Sequence, residues 1–202
     1  MRLVKPKSDF ARPRFRGIPG TIEKKNEAVI MDRRHFGLGA AAALGLSACG
    51  SQDSKFRRYY GPAVTSIVIN KGARKMYLLN NEKVLKEYKV ELGFAPAGHK
   101  QFEGDGKTPE GTYLIDRRNP NSAFHLSLGI SYPNSRDVAY AQAMGKKPGG
   151  EIFIHGEPNG LRDRKKAKKQ PDWTAGCIAV KNDEIEEIYA MVRDGTVITL
   201  RA

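Results

Sequence analysis

Short β-branched and apolar runs, each closed by glycine, asparagine or proline, recur between residues 64 and 155 and leave this chain few ways to fold except as a sheet. Val64–Ile69 is the first, and Asn70-Lys71-Gly72 turns it back. Lys75–Leu79 follows, and Asn80-Asn81 leads into Lys83–Leu92. There Tyr88, Val90 and Leu92 alternate with charged residues, the period-two signature of a half-buried strand. Further runs lie at Thr112–Ile115, Phe124–Ile130, Ile152–His155 and Thr196–Leu200. One stretch changes period. Ile185, Ile188, Tyr189 and Val192 recur at helical spacing over Asp183–Arg193, with Asn182 as N-cap, acids in the first turn and Gly195 at the end. The pattern predicts a mainly β, α+β domain with one helix near the C-terminus. His99–Asp105, Asn119–Ala123 and Pro158–Pro171 read as loops.

The front of the chain has a different character. Arg33 and Arg34 precede Phe36, Leu38 and a weakly apolar run, Gly39–Leu46. That run is too short to span a bilayer, which takes roughly 20 apolar residues. It fits a signal-peptide core behind a basic segment, and the arginine pair resembles a twin-arginine export signal. Leu46-Ser47-Ala48-Cys49 resembles a bacterial lipobox, so Cys49 is the expected lipidation site. Residues 1–30 show no hydrophobic periodicity; either translation starts at Met31, or they form a disordered extension removed with the signal. The expected organisation is an extension and signal over 1–48, a polar tether over 49–62 and a domain over 63–202. The expected location is the periplasm of a Gram-negative bacterium, with the domain anchored to a membrane through lipid.

Residues 49–202 carry 25 Lys and Arg against 18 Asp and Glu, a net charge of +7 rather than the +13 of the whole chain. Much of the basicity therefore leaves with the signal. The remainder suits wall carboxylates or lipid headgroups, and no basic motif interleaved with aromatics points to nucleic acid.

Chemistry concentrates in two places. Cys177 follows the small-residue turn Thr174-Ala175-Gly176, and His155 ends the apolar run Ile152-Phe153-Ile154. A thiol becomes a good nucleophile only beside a base or positive charge, and His155 is the best-placed base. The amides of Gly176 and Cys177 can then bind a developing oxyanion. By composition alone, Cys177 can equally be a small buried residue and His155 a strand-end histidine bonded to backbone. Arg162–Lys169 reads as solvated surface or as a lid facing substrate. Residues 49–202 offer no paired ligand spacing for zinc, and no cofactor is expected.

Three separated motifs now resemble one family. Asp105-Gly106-Lys107-Thr108-Pro109-Glu110-Gly111, Ile154-His155-Gly156 and Thr174-Ala175-Gly176-Cys177-Ile178 follow the order found in L,D-transpeptidase catalytic domains, the YkuD-like enzymes of bacterial peptidoglycan. The resemblance covers roughly Val64 to Leu200. It implies a mainly β, sandwich-like fold with a helix after the nucleophile. It also implies Cys177 as nucleophile, His155 as general base and the backbone carbonyl of Gly156 as the group orienting the imidazole. Peptidoglycan stem peptides are the implied substrates, with an amine of another stem, or an outer-membrane lipoprotein, as acceptor or substrate. Trp173, Thr174, Tyr132, Arg164 and Lys165 are further candidates for substrate contact, and Phe124, His125 and Ser127 for the groove wall.

Two departures stand out. The family's usual Ser/Thr-His-Gly-Cys, followed by an apolar residue and arginine, is here Thr174-Ala175-Gly176-Cys177-Ile178-Ala179. The 22 residues from His155 to Cys177 exceed the usual gap, and the basic segment fills them. Both departures resemble a divergent YafK-like branch. Transfer to an amine is the leading expectation. Hydrolysis of wall–lipoprotein or wall–peptide links by the same residues, and non-catalytic wall binding, are the alternatives.

Overall fold

The period-two runs become strands whose alternate side chains share one core. The computed structural model describes residues 54–202. Its strands are β1 (Ser66–Asn70), β2 (Lys75–Asn80), β3 (Lys83–Lys89), β4 (Gly111–Asn119), β5 (Ser127–Ile130), β6 (Phe153–His155), β7 (Ile178–Ala179) and β8 (Val197–Arg201). They hydrogen-bond in the order β3-β2-β1-β8-β4-β5-β6-β7. The export segment and Cys49 lie outside the described residues. Ile67 and Ile69, Met76 and Leu78, and Ile198 and Leu200 are all buried on the inner face. Each such side chain contributes about 1.5–3 kcal/mol by leaving water.

Three helices accompany the sheet: α1 (Ser135–Ala143), α2 (Leu161–Ala167) and α3 (Asn182–Met191). The expected C-terminal helix is present, and Ile185, Ile188, Tyr189 and Val192 join the strand core. Its start differs by one residue. Lys181 is the N-cap, and Asn182 instead accepts the Glu157 N–H at 2.8 Å, tying the helix to the chain after β6. Helix α2 occupies a stretch expected as loop. No residue of it is buried, so it has no apolar periodicity to betray it. Helix α1 was also not expected, because it buries only Asp137 and Ala141; its legible mark is the capping box between Asn134 and Asp137.

The sheet curls until its ends meet. Beyond β3 the chain returns to β7, where Glu91 and Ala179 exchange backbone hydrogen bonds of 2.9 and 2.8 Å. Gly93 then bridges Thr174, with Phe94 N–H donating to Thr174 O at 2.9 Å. Closure satisfies backbone groups that would otherwise form an open edge. Within the expected tether, Lys55 Nζ donates to Pro120 O at 2.6 Å, Arg57 pairs with Glu186 at 3.0 Å, and the Phe56 ring tilts against Tyr189.

Candidate active site

The seam of that closure holds both Cys177 and His155. Ile178 pairs in parallel register with Ile154, and Ala179 with His155, so Cys177 precedes β7 by one residue. Strand alternation buries Ile154 and Ile178 in the core and turns His155 and Ala179 to the other face. The turn before Cys177 is locked from within. Thr174 Oγ1 donates to Cys177 O at 2.8 Å and accepts Gly176 N–H at 3.1 Å. Gly176 adopts φ +134°, and a Cβ there would sit 2.7 Å from Lys107 O, so only glycine fits.

The Asp105–Pro109 motif forms the cradle under this turn. Asp105 accepts from Lys100 Nζ at 2.8 Å and from the backbone N–H groups of Gln101, Phe102 and Lys107 at 2.7–3.0 Å. Burial pushes its carboxyl up, but Lys100 and the three amides outweigh burial and hold it at about 2. Thr108 Oγ1 accepts Gly93 N–H at 3.1 Å, fixing the strand that bridges Thr174. On the other side, Arg74 grips Asp172 with contacts of 2.6–3.1 Å, and Asp172 also accepts Leu92 N–H at 3.0 Å. This clamp sets the position of the next residue, Trp173.

His155 is 3 % exposed, and its Nδ1 lies 2.7 Å from Gly156 O. A carbonyl can only accept, so Nδ1 carries the proton and Nε2 holds a free lone pair. Burial, opposed only by that hydrogen bond, lowers the imidazole to about 4. The Phe124 ring centroid stands 4.4 Å away and the Trp173 ring centroid 5.6 Å, in a T-shaped arrangement. Gly156 is confined as well: a Cβ would lie 2.7 Å from Asn182 Oδ1 and 3.0 Å from Phe124 O.

Cys177 is half-buried, and its Sγ donates to Glu151 O at 3.4 Å rather than to His155. Burial raises the thiol and the Glu151 charge adds to it, while the Phe153 backbone hydrogen bond and the Lys100 charge pull the other way. Both groups are therefore neutral at rest: a thiol and an imidazole, not a thiolate–imidazolium pair.

The structure distributes the remaining candidates differently from the sequence expectation. Gly176 N–H is spent on Thr174 rather than free for an oxyanion. Among the described residues, no acceptor pairs with the Cys177 N–H. Thr174 is buried and braces the turn instead of facing a ligand. Tyr132 is also buried, its hydroxyl donating to Pro148 O at 3.1 Å and its ring packed on Tyr113. His125 Nε2 bonds to Glu186 at 2.7 Å, and Ser127 is buried within β5. Trp173 and Phe124 do face open space, in a cleft of about 600 Å³ that α2 overhangs. Arg164 and Lys165 both lie on α2, and Arg164 Nε donates to Pro158 O at 3.1 Å. Sequence reading missed the Arg74–Asp172 clamp, because nothing in the chain marks two residues 98 apart as partners. Among the described residues, no group of three or more His, Cys, Asp or Glu is placed to hold a metal.

Residues 65–200 match the model of the YkuD family, described as the L,D-transpeptidase catalytic domain. YafK of Escherichia coli (strain K12) is 28 % identical over 146 residues, covering 70 % of this chain and 52 % of that protein. The chain thus spans about half the length of the curated relatives it matches. The helical cell shape determining protein Pgp2 from Campylobacter jejuni is similar in structure, with a TM-score of 0.52 and 27 % identity over 71 % of this chain and 49 % of that one.

Proposed function

The chain belongs to the YkuD family of L,D-transpeptidase catalytic domains, and from that premise we propose that it is a peptidoglycan L,D-transpeptidase with Cys177 as nucleophile and His155 as general base. The observation that carries this reading is the His155 Nδ1–Gly156 O hydrogen bond of 2.7 Å, which commits Nε2 to accepting a proton beside the cysteine turn. The neutral resting pair then dictates the sequence of events. Cys177 Sγ leaves Glu151 O, attacks the diaminopimelate carbonyl that is bonded to the terminal D-alanine of a stem tetrapeptide, and gives its proton to His155 Nε2. The Cys177 N–H steadies the oxyanion. As the C–N bond breaks, His155 returns that proton to the departing D-alanine, leaving a thioester on Cys177.

An amine of a second stem or of an outer-membrane lipoprotein attacks the thioester next. The amine loses a proton through His155, the C–S bond breaks, and the proton returns to sulfur. Water in place of the amine makes the same site a hydrolase. Export by the twin-arginine signal and lipidation at Cys49 place the domain at the periplasmic wall, and the likeness to Pgp2 supports a part in cell shape. Intact-mass detection of a carbapenem or stem-peptide adduct, lost in Cys177→Ala, tests the acyl-enzyme; a folded protein with no adduct refutes it. Incubation with purified wall then sorts the outcomes by product mass. New cross-links mark transfer, whereas shortened stems or released lipoprotein alone mark hydrolysis.

A further inference from the structure

Helix α2 separates two hollows that share Trp173. The first lies beside Phe124, whose ring packs on His155. The second is a cleft of about 380 Å³ on the far side of α2, between the end of β3, the residues after α2 and the start of α3. Five cations line it, Lys89, Arg164, Lys168, Lys169 and Lys181, against three carboxylates. Those carboxylates are already engaged. Glu91 Oε2 accepts Asp172 N–H at 2.8 Å, and Glu184 Oε2 accepts Lys181 N–H at 2.9 Å. Glu157 is shared between Arg164 at 3.5 Å and Lys168 at 3.6 Å.

Lys89, Lys169 and Lys181 have no carboxylate partner among the described residues, although they come from three separate segments. All three are exposed, and with five cations against three carboxylates the lining keeps a net positive charge that attracts an anionic occupant. The floor between them is apolar, made by Ala167, Pro171, Ala179, Val180 and the Trp173 ring. A small inorganic anion satisfies the rim but leaves that floor wet. A peptide with several carboxylates joined by aliphatic stretches satisfies both.

We propose that this cleft is a second binding site, for a carboxylate-rich peptide, in which Lys89, Lys169 and Lys181 hold the acidic groups and Trp173 packs on the aliphatic backbone. The assignment rests on the wall-peptide reading above and gives that substrate a second hold, across Trp173 from His155. A bound carboxylate competes with Glu157 for Lys168, which lies 3.6 Å from it.

Trp173 is the chain's single tryptophan, so its fluorescence reports on both hollows, and the Lys89 and Lys181 variants assign the response to this one. The experiment titrates the full chain carrying Cys177→Ser with a stem tripeptide ending in diaminopimelate, with the same peptide fully amidated, and with inorganic phosphate. The expected result is a saturable Trp173 change with the free-acid peptide, weakening as salt rises. Affinity falls about tenfold on amidation or in the Lys89→Ala/Lys181→Ala variant, is restored by Lys89→Arg/Lys181→Arg, and rises in Glu157→Gln. Equal binding of the amidated peptide, equal binding by the alanine variant, or an identical response to phosphate overturns the assignment. Carbapenem labelling of Cys177 in the chain with its cysteine intact keeps the two readings apart. Labelling without peptide binding sinks the cleft alone, whereas absent labelling sinks the catalytic reading.

Discussion

Replacing His155 by glutamine isolates the energetic signature of a buried neutral imidazole. In the unfolded chain a histidine takes up its proton near pH 6.5, whereas in the folded protein burial delays uptake until about pH 4. The folded value is depressed, so acid favours the unfolded state: stability is full above the unfolded value and drains away as pH falls from about 6.5 to about 4. At 1.36 kcal/mol per pKa unit, the whole gap is worth about 3 kcal/mol, and about 2.5 kcal/mol of it is lost between pH 7.5 and pH 4.5. Carboxylates held low, such as Asp105 and Asp172, titrate below this window and do not mask the effect. The assay is urea unfolding of the wild type and His155→Gln at both pH values. Glutamine lowers stability at each, but the wild type loses about 2.5 kcal/mol more than the variant on acidification. Equal losses in the two proteins, or an NMR titration placing the His155 ring near 6.5, refute the reasoning.

Three further outcomes follow from the same geometry. Carbapenem acylation of Cys177, followed by mass against pH, falls on the acid side near pH 4 rather than 6.5, because His155 stays a base until then. Gly176→Ala forces a side chain into φ +134° and against Lys107 O, costing about 2–4 kcal/mol in thermal or urea melts and abolishing acylation. Arg74→Met breaks the half-buried clamp on Asp172 and lowers stability by about 1–2 kcal/mol, while the acylation rate drops through displacement of Trp173.

The strands near β1, β2 and β3 were legible because half-burial imprints an apolar alternation, and α3 because one apolar stripe packs on the sheet. Helix α2 was invisible for the opposite reason: it buries nothing, so selection for packing leaves no periodicity. The Cys177 and His155 pairing could be suggested from residue types and motif order. The thiol resting on Glu151 O, and the Gly176 amide spent on Thr174, could not, since a motif specifies neighbours in the chain and not hydrogen-bond partners. Tyr132 shows the same limit, because a tyrosine in a loop reads as a surface contact until its hydroxyl is found on Pro148 O.

By itself, then, the sequence determined the local chemistry: which segments extend, where glycine must stand, and which thiol and imidazole are available. Tertiary structure alone decided that the sheet curls until Glu91 meets Ala179 and closes a seam around Cys177. It decided that burial leaves the pair neutral, because desolvation is a property of surroundings assembled from distant strands. It also gathered Lys89, Lys169 and Lys181 into one hollow, since electrostatic sums run over space and not along the chain.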